Sequence, residues 1–357
     1  MVAETVRTNR HEETSVFLRN AWWVAAASAE IGQSLLPLKL LGERIVVFRK
    51  EDGDPVALED ACCHRKLPLS MGQRSGDHVV CGYHGLTFDA AGNCVASPTQ
   101  NRVPANARVR SYPATERWGL VWIWTGNPAL ADERKIIAIH NHDDPAWGLS
   151  MGGAMTVACN YLYLTDNLLD PSHVAWVHRG SFAGSGTEDT PLQIDVQDQG
   201  VVVRRWILDR EVPPFYAPLV KFAGRCDRLQ HYEARYPSLA INKSIFTPAG
   251  TGGSDKPLHR SAYVMVSYHF LTPIDESSTR YHWLQHRNTD PEDATITAKI
   301  AANARSAFEE DRIVLEAVHD GMSRAAAPPI NLALDAGALR FRRNLQALIE
   351  QEQQPRA

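Results

Sequence analysis

No stretch of this sequence approaches the roughly 18 consecutive apolar residues that span a membrane, although 44% of its residues are hydrophobic. Its start, MVAETVRTNRHEETS, lacks the apolar core of a signal peptide, and Glu4, Glu12 and Glu13 are out of place in an organellar transit peptide. Basic blocks of the kind that attract nucleic acid or anionic lipid are also missing: 37 basic residues face 41 acidic ones, for a net charge of −4. There is no glycine-rich fingerprint for a flavin or nicotinamide, no internal repeat and no low-complexity segment. These gaps lead us to expect a cytoplasmic protein with no nucleic-acid or membrane partner. Its 357 residues suggest about two domains.

Cysteine is scarce, six in all, but it is unevenly placed: residues 62, 63 and 81 fall within 20 positions, followed by 94, 159 and 226. In a cytosolic chain of this size such spacing favours metal or redox chemistry over disulfides. The first cysteines lie in a β-rich region. There, short apolar runs such as RIVVFRK, PVALED, HVVCGYHGLTF and GLVWIWTG alternate with the turn signals EDGD, SGD and AAGN, a pattern expected of a small sandwich or barrel. We divide the chain into a polar extension (1–17), this β region (18–128), a linker rich in Pro, Gly and charge (129–150), and a mixed region (151–357). The last begins with a strand-like MTVACNYL and carries helical patterns near 292–319 and 336–353. Within the linker, His140, His142 and Asp144, in the run His140-Asn141-His142-Asp143-Asp144, resemble the HxHxD start of a binuclear hydrolase site. Pro145 stands where the next histidine belongs, so a solvated loop is expected.

In the β region, ACCHRKLPLS supplies Cys62-x-His64 and VVCGYHGLTFD supplies Cys81-x-x-His84, with 16 residues between the halves. Two thiolates and two imidazoles suit either a tetrahedral zinc ion or a Rieske [2Fe–2S] cluster, with both cysteines on one iron and both histidines on the other. Histidine last in each half, with glycines and Tyr83 around the second, favours the Rieske alternative. Cys63 is read as a small non-ligand.

The mixed region holds DNLLDPSHVAWVH, in which Asp170, His173 and His178 are candidate ligands. On one ideal helix the two histidines diverge by about 140°, so a bend or bulge is expected between them. Two imidazoles and a carboxylate form the facial triad of non-haem Fe(II) oxygenases. Asp170 is one candidate for the carboxylate. Asp311 is another: from Phe308, Asp311, Leu315 and Val318 follow at +3, +7 and +10, one stripe of a helix, with Glu309 and Glu310 pointing away. A buried acid on such a stripe is expected to be paired or metal-bound.

Together these residues resemble the Rieske non-haem iron oxygenases, specifically the vanillate O-demethylase and dicamba monooxygenase branch. The likeness runs over roughly 17–353 and includes NAWWVAA, RWGLVWIWTGNPALAD, DNLLD and NLALDAGALRFRRNLQALIEQE. One departure is Cys63, where the family usually has proline. The resemblance implies an α+β protein, with an all-β Rieske domain followed by a helix-grip catalytic domain. It places Cys62, Cys81, His64 and His84 on the cluster, and His173, His178 and Asp311 on the mononuclear iron. Asp170 becomes a bridge whose carboxylate joins a metal histidine to His84 of a neighbouring subunit, in a head-to-tail homotrimer. Asn167 lies near the iron, too far to ligate. Asn242 and His269 match an amide and an imidazole that contact the substrate carboxylate or ring oxygen within this branch.

The implied activity is that of a terminal oxygenase component: a monooxygenase using O2 and two electrons from a separate FMN and plant-type ferredoxin reductase fed by NAD(P)H. The expected reaction is oxidative O-demethylation or hydroxylation of a methoxylated or otherwise substituted aromatic acid. The competing readings are hydroxylation of a non-methoxy ring or methyl group, a Rieske electron carrier with an inactive catalytic domain, and a structural zinc protein.

Overall fold

The computed structural model describes residues 16–354 except 99, 180, 181, 183, 188 and 189. The polar extension expected over 1–17 therefore lies, apart from Val16 and Phe17, outside the described residues.

The first part of the chain forms three small antiparallel sheets. Glu43–Arg49 is central to one of them, between Leu36–Leu40 and Pro55–Glu59. Its run Ile45–Phe48 is fully buried on both faces, which explains a continuous β-branched stretch in place of an alternating one. Val46 and Phe48 pack on Leu69, Val79 and Phe88 beneath the cysteine turns, while Ile45 and Val47 join the central core. The apolar run HVVCGYHGLTF is two short strands, His78–Val80 and Thr87–Phe88, with a Cys81–His84 turn between them.

The second part is built on a seven-stranded antiparallel sheet. In spatial order its strands are Gly148–Val157, Ser278–Arg287, Tyr263–Asp275, Leu239–Pro248, Cys226–Arg235, Gly200–Arg210 and Gln193–Gln197. Helices α1 (Tyr161–Leu169), α2 (Val174–Val177), α3 (Ala294–Arg324) and α4 (Ala336–Gln353) complete it. α1, α3 and α4 pack on the sheet and on one another, and this is the expected α+β grip. The reverse face of the sheet, through Val264, Val266, Tyr268 and Phe270, meets Trp22, Trp122 and Trp124 of the N-terminal strands. With both faces covered, Tyr263–Thr272 are buried without alternation.

Three local expectations change. The first strand starts at Gly148, inside the stretch expected as linker, and Ile136 and Ile139 of that stretch are buried against the sheet's reverse face. MTVACNYL is not all strand. Pairing stops at Val157, and Asn160 caps α1 by accepting the Leu162 N–H at 3.0 Å, so the last residues are helical. On α3 the buried stripe is Ile300, Ala304, Ala307, Asp311 and Leu315, whereas Val318 is exposed because the sheet ends before the helix does.

Candidate functional site

Cys62 and Cys81 open two turns of the same construction. Cys62 donates its N–H to Leu67 O at 2.9 Å and accepts from Lys66 N–H at 2.9 Å; Cys81 does the same with Leu86 at 2.9 Å and Gly85 at 3.0 Å. The fourth residue after each cysteine is left-handed, Lys66 at φ 61° and Gly85 at φ 70°. At the second position glycine is favoured twice over, since a Cβ there would lie 2.8 Å from the Pro98 ring. Both thiols are 2% exposed and within hydrogen-bond reach of each other, and burial pushes the Cys62 thiol up to about 11. The His64 and His84 rings are 4.6 Å apart at the outer edge, His64 exposed and His84 half-buried. Paired inner thiols and paired outer imidazoles are the donor set a [2Fe–2S] cluster needs. Cys63 packs into the apolar layer below, which also holds Cys94, while Cys159 and Cys226 are buried in other parts of the core.

The second group converges from elements far apart in the chain. Ligand atoms of His173, His178 and Asp311 all lie within 4.8 Å of one another. Asp311 Oδ1 is 3.2 Å from His178 Nε2 and 3.6 Å from His173 Nε2, yet it has no hydrogen-bond partner among the described residues. An orphaned buried carboxylate oxygen facing two imidazole nitrogens is the arrangement a cation would complete. Burial alone would raise the Asp311 pKa, but the two histidines and Asn167 hold it below its ordinary value. For His178, burial pulls the pKa down, and Asp311 and Glu310 outweigh it and raise it.

The expected bend lies elsewhere. α1 ends at Leu169, the chain is extended at Asp170, and the histidines occupy the two ends of the single turn α2. The break therefore precedes His173 and does not fall between the histidines. His178 leaves helical geometry at φ −105°, ψ 39°, which turns its ring back toward Asp311.

Both rings are oriented through their second nitrogen. His173 Nδ1 sits 2.5 Å from the Asp170 backbone carbonyl, and His178 Nδ1 sits 2.7 Å from Glu310 Oε2. One expectation is corrected here. Glu310 does not point away, because a ring lying along α3 can touch both Asp311 and its neighbour. Within the chain, the Asp170 link to the His173 ring runs through its carbonyl, while its carboxylate accepts the Ser172 N–H at 2.6 Å and the His173 N–H at 3.2 Å. Arg205 Nη2 clamps the adjoining Pro171 carbonyl at 3.1 Å. Asn167 Nδ2 lies 3.5 Å from His173 Nε2. Of the decoy residues, His140, Asp143 and Asp144 are exposed in a loop, and His142 is tucked against Trp118 and His286.

A cavity of about 70 Å³ opens beside the three ligands. Its floor is one face of the sheet, where Tyr232, Asn242, Ser267 and Gln285 form a row across four strands. Asn242 and His269 both line it. Burial pushes the His269 pKa down to about 3, so the ring is neutral; its Nδ1 is 2.7 Å from the Tyr281 hydroxyl and its Nε2 has no partner among the described residues. Arg228 also lines this cavity, and no motif marks it. A wider cleft of about 540 Å³ lies between the N-terminal strands and the sheet's reverse face, remote from every candidate ligand.

Comparison with known proteins agrees with this geometry. Residues 21–113 match the Rieske [2Fe-2S] domain, and residues 157–351 match the vanillate O-demethylase oxygenase C-terminal domain. The iron-sulfur subunit of the toluene-4-sulfonate monooxygenase system of Comamonas testosteroni is 36% identical, over 94% of this chain and 98% of that one. The vanillate O-demethylase oxygenase subunit of a Pseudomonas species is 32% identical over 95% and 97%. Dicamba monooxygenase bound to 3,6-dichlorosalicylic acid superposes with a TM-score of 0.87 at 32% identity, covering 94% and 98%.

Proposed function

We propose that this chain, which belongs to the Rieske oxygenase subunits with the vanillate O-demethylase C-terminal domain, oxidises a methoxy- or methyl-substituted aromatic acid as the oxygenase component of a multicomponent monooxygenase. In this reading Cys62 and Cys81 hold one iron of the Rieske cluster and His64 and His84 the other. His173, His178 and Asp311 hold the mononuclear iron. Residues 18–128 then carry the cluster and 151–357 the iron, joined by 129–150. The observation that carries the reading is the unsatisfied Asp311 Oδ1 facing two imidazole nitrogens at the wall of a cavity.

When bound, the two centres supply one-electron storage and O2 activation, with NAD(P)H acting through the separate reductase. The chain's own residues do the rest. The Asp170 carbonyl and the Glu310 carboxylate fix both imidazoles with Nε2 turned inward. Phe182, Phe308 and Met265 keep the cavity dry, and Asn242 and the neutral His269 offer uncharged polar contacts to the ring substituents. Oxidation of an aryl methyl ether carbon gives a hemiacetal that collapses to a phenol and formaldehyde. The relative that acts on toluene-4-sulfonate supports a second outcome, hydroxylation of an aryl methyl group.

A head-to-tail homotrimer fits the exposed apolar groups. Met71 (68% exposed) and Tyr83 (57%) stand at the cysteine turns, and Trp176 (65%) projects from α2 beside Asp170. In such a ring His84 of one subunit meets Asp170 of the next. No helix among the described residues is long and apolar enough to cross a membrane, in keeping with a cytoplasmic site of action.

The test is product analysis over methoxybenzoates and methylbenzenesulfonates, with O2, NADH and a surrogate reductase. Formaldehyde or a benzylic alcohol formed in proportion to NADH consumed is expected. NADH oxidation without any oxygenated product across the panel would refute the reading.

A further inference from the structure

We propose that Arg228 is the anchor for the substrate's anionic group, so that the cavity selects aromatic monoacids, sulfonates or carboxylates, and holds their charged end away from Asn242 and His269. The inference rests on the oxygenase reading of this cavity and names the chemistry of what fills it.

Arg228 is 3% exposed, and its guanidinium has no carboxylate partner among the described residues. Among the described residues Nε and Nη1 are buried without any hydrogen bond, and Nη2 reaches only the Phe182 carbonyl, at 3.4 Å. Asp227, next in sequence, points to the opposite face, its oxygens taken by the Asp209 N–H at 2.9 Å and the Gly252 N–H at 2.8 Å. What surrounds the charge is aromatic, the Phe246 ring at 5.3 Å and the Tyr216 ring at 5.7 Å. Faces of this kind soften the burial of a cation but satisfy none of its N–H groups.

The neighbouring strand shows that the fold can satisfy a buried arginine. Arg205, also 3% exposed, gives Nε to Gln230 at 2.7 Å, Nη1 to the Thr187 carbonyl at 2.6 Å and Nη2 to the Pro171 carbonyl at 3.1 Å. Arg228 instead keeps donors open on both edges of its guanidinium, on the wall it shares with the three metal-site residues. A buried cation without a counter-ion is unfavourable, and a planar guanidinium edge matches two oxygens of a carboxylate or sulfonate. The missing partner is therefore an anion brought by the ligand.

Register sets the orientation. Arg228 pairs with Phe246, and Tyr232 pairs with Asn242, four residues further along the same two strands. At about 3.3 Å per residue this separates the Arg228 row from the Asn242 row by roughly 13 Å. His269 pairs with Ala240, one row beyond Asn242. The two polar ends of the cavity thus suit a ring with its charge at one end and its oxidised substituent at the other. The anion would replace the long Phe182 carbonyl contact, releasing a half-buried aromatic from the cavity wall.

The experiment compares the wild-type holoenzyme with Arg228→Met and Arg228→Lys. Calorimetry measures the binding of 4-methylbenzenesulfonate, 4-methoxybenzoate and the neutral 4-methoxytoluene; thermal unfolding is followed with and without each. We expect R228M to lose about 10- to 100-fold in affinity for the acids, the range for a charge-assisted hydrogen bond, with the neutral probe unchanged and R228K in between. Without ligand, R228M should unfold no earlier than wild type, because no partner is left behind. The ratio of sulfonate to carboxylate affinity identifies which acid the site prefers. Equal acid affinities in wild type and R228M, or acids binding wild type no better than the neutral probe, would overturn the proposal. Acid binding lost in R228M in an enzyme that makes no oxygenated product would support the anchor while refuting the oxygenase reading.

Discussion

Between Cys62 and His84 four candidate ligands fall within 23 consecutive residues, while His173 and Asp311 are 138 positions apart. The first group is held by two matching turns whose hydrogen bonds close over five residues. The second exists only when α2 and α3 are both docked on the sheet. In the first the imidazoles face outward from buried thiols; in the second the carboxylate and one imidazole are buried and the ligand atoms point into a cavity. A centre that exchanges electrons with a partner needs an exposed edge. One that must exclude water from its chemistry needs the interior. The difference follows from the tasks, and it sets how each region should fail.

The largest separation is expected from Asp311→Ala. Turnover should fall to background and about one iron per chain should be lost, while the visible spectrum of the cluster stays as in wild type; retained turnover would remove Asp311 from the site. Asp170→Asn should leave both metal contents intact, since an amide oxygen still accepts the Ser172 N–H. Transfer of electrons to the iron should nevertheless stop, and a normal single-turnover rate would sink the bridge between subunits. Glu310→Gln is a milder break, weakening Fe(II) binding about 10- to 100-fold with no change in the cluster, because it removes the charge orienting His178.

A further effect, on stability and not on the metal sites, concerns acid. Burial pushes His282 down to about 3 and His286 down to about 4, from an ordinary value of 6.5. Both nitrogens of each ring lack a partner among the described residues. Each ring is neutral when folded and takes a proton on unfolding, so its contribution is fully present above pH 6.5. That contribution declines as pH falls toward the folded value, by about 1.4 kcal/mol per pH unit for each histidine. Thermal melts from pH 7 to 5 should therefore show a falling midpoint, and His282→Gln should flatten the slope if it folds. An unchanged slope would mean that the catalytic sheet is not what acid unfolds.

Legibility in the sequence followed the same division. Cys62, His64, Cys81 and His84 could be found because a motif with short fixed spacing maps directly onto a turn. α3 and α4 were visible from periodicity, and Asp311 from its place on a helical stripe. Glu310 was misjudged because periodicity says which face a residue occupies, and not that a neighbouring ring is broad enough to bridge two adjacent positions. The break before His173 was displaced for a similar reason: angles on an ideal helix show that one straight helix fails, but not where it ends. Arg228 left only a weak trace. In CDRLQHYEAR, period two puts Cys226, Arg228, Gln230, Tyr232 and Ala234 on one face, and whether that face is core or cavity depends on helices drawn from elsewhere in the chain.

At the far end of the molecule, Glu352 of α4 accepts the backbone N–H groups of Arg19 at 2.7 Å and Asn20 at 2.5 Å, just ahead of the strand Trp22–Ala27. That strand belongs to the cysteine-bearing half, yet this latch is supplied by residues made more than 300 positions later. During synthesis the N-terminal strand can pair with Leu120–Trp124 as soon as both have left the ribosome, and Thr125 and Asn127 can already bond Arg19 and Asn20, but the Glu352 contacts form only once α4 has emerged. The two halves therefore share a fastening that neither can complete alone: the entry to the first strand is finished by the helix that packs on the catalytic sheet.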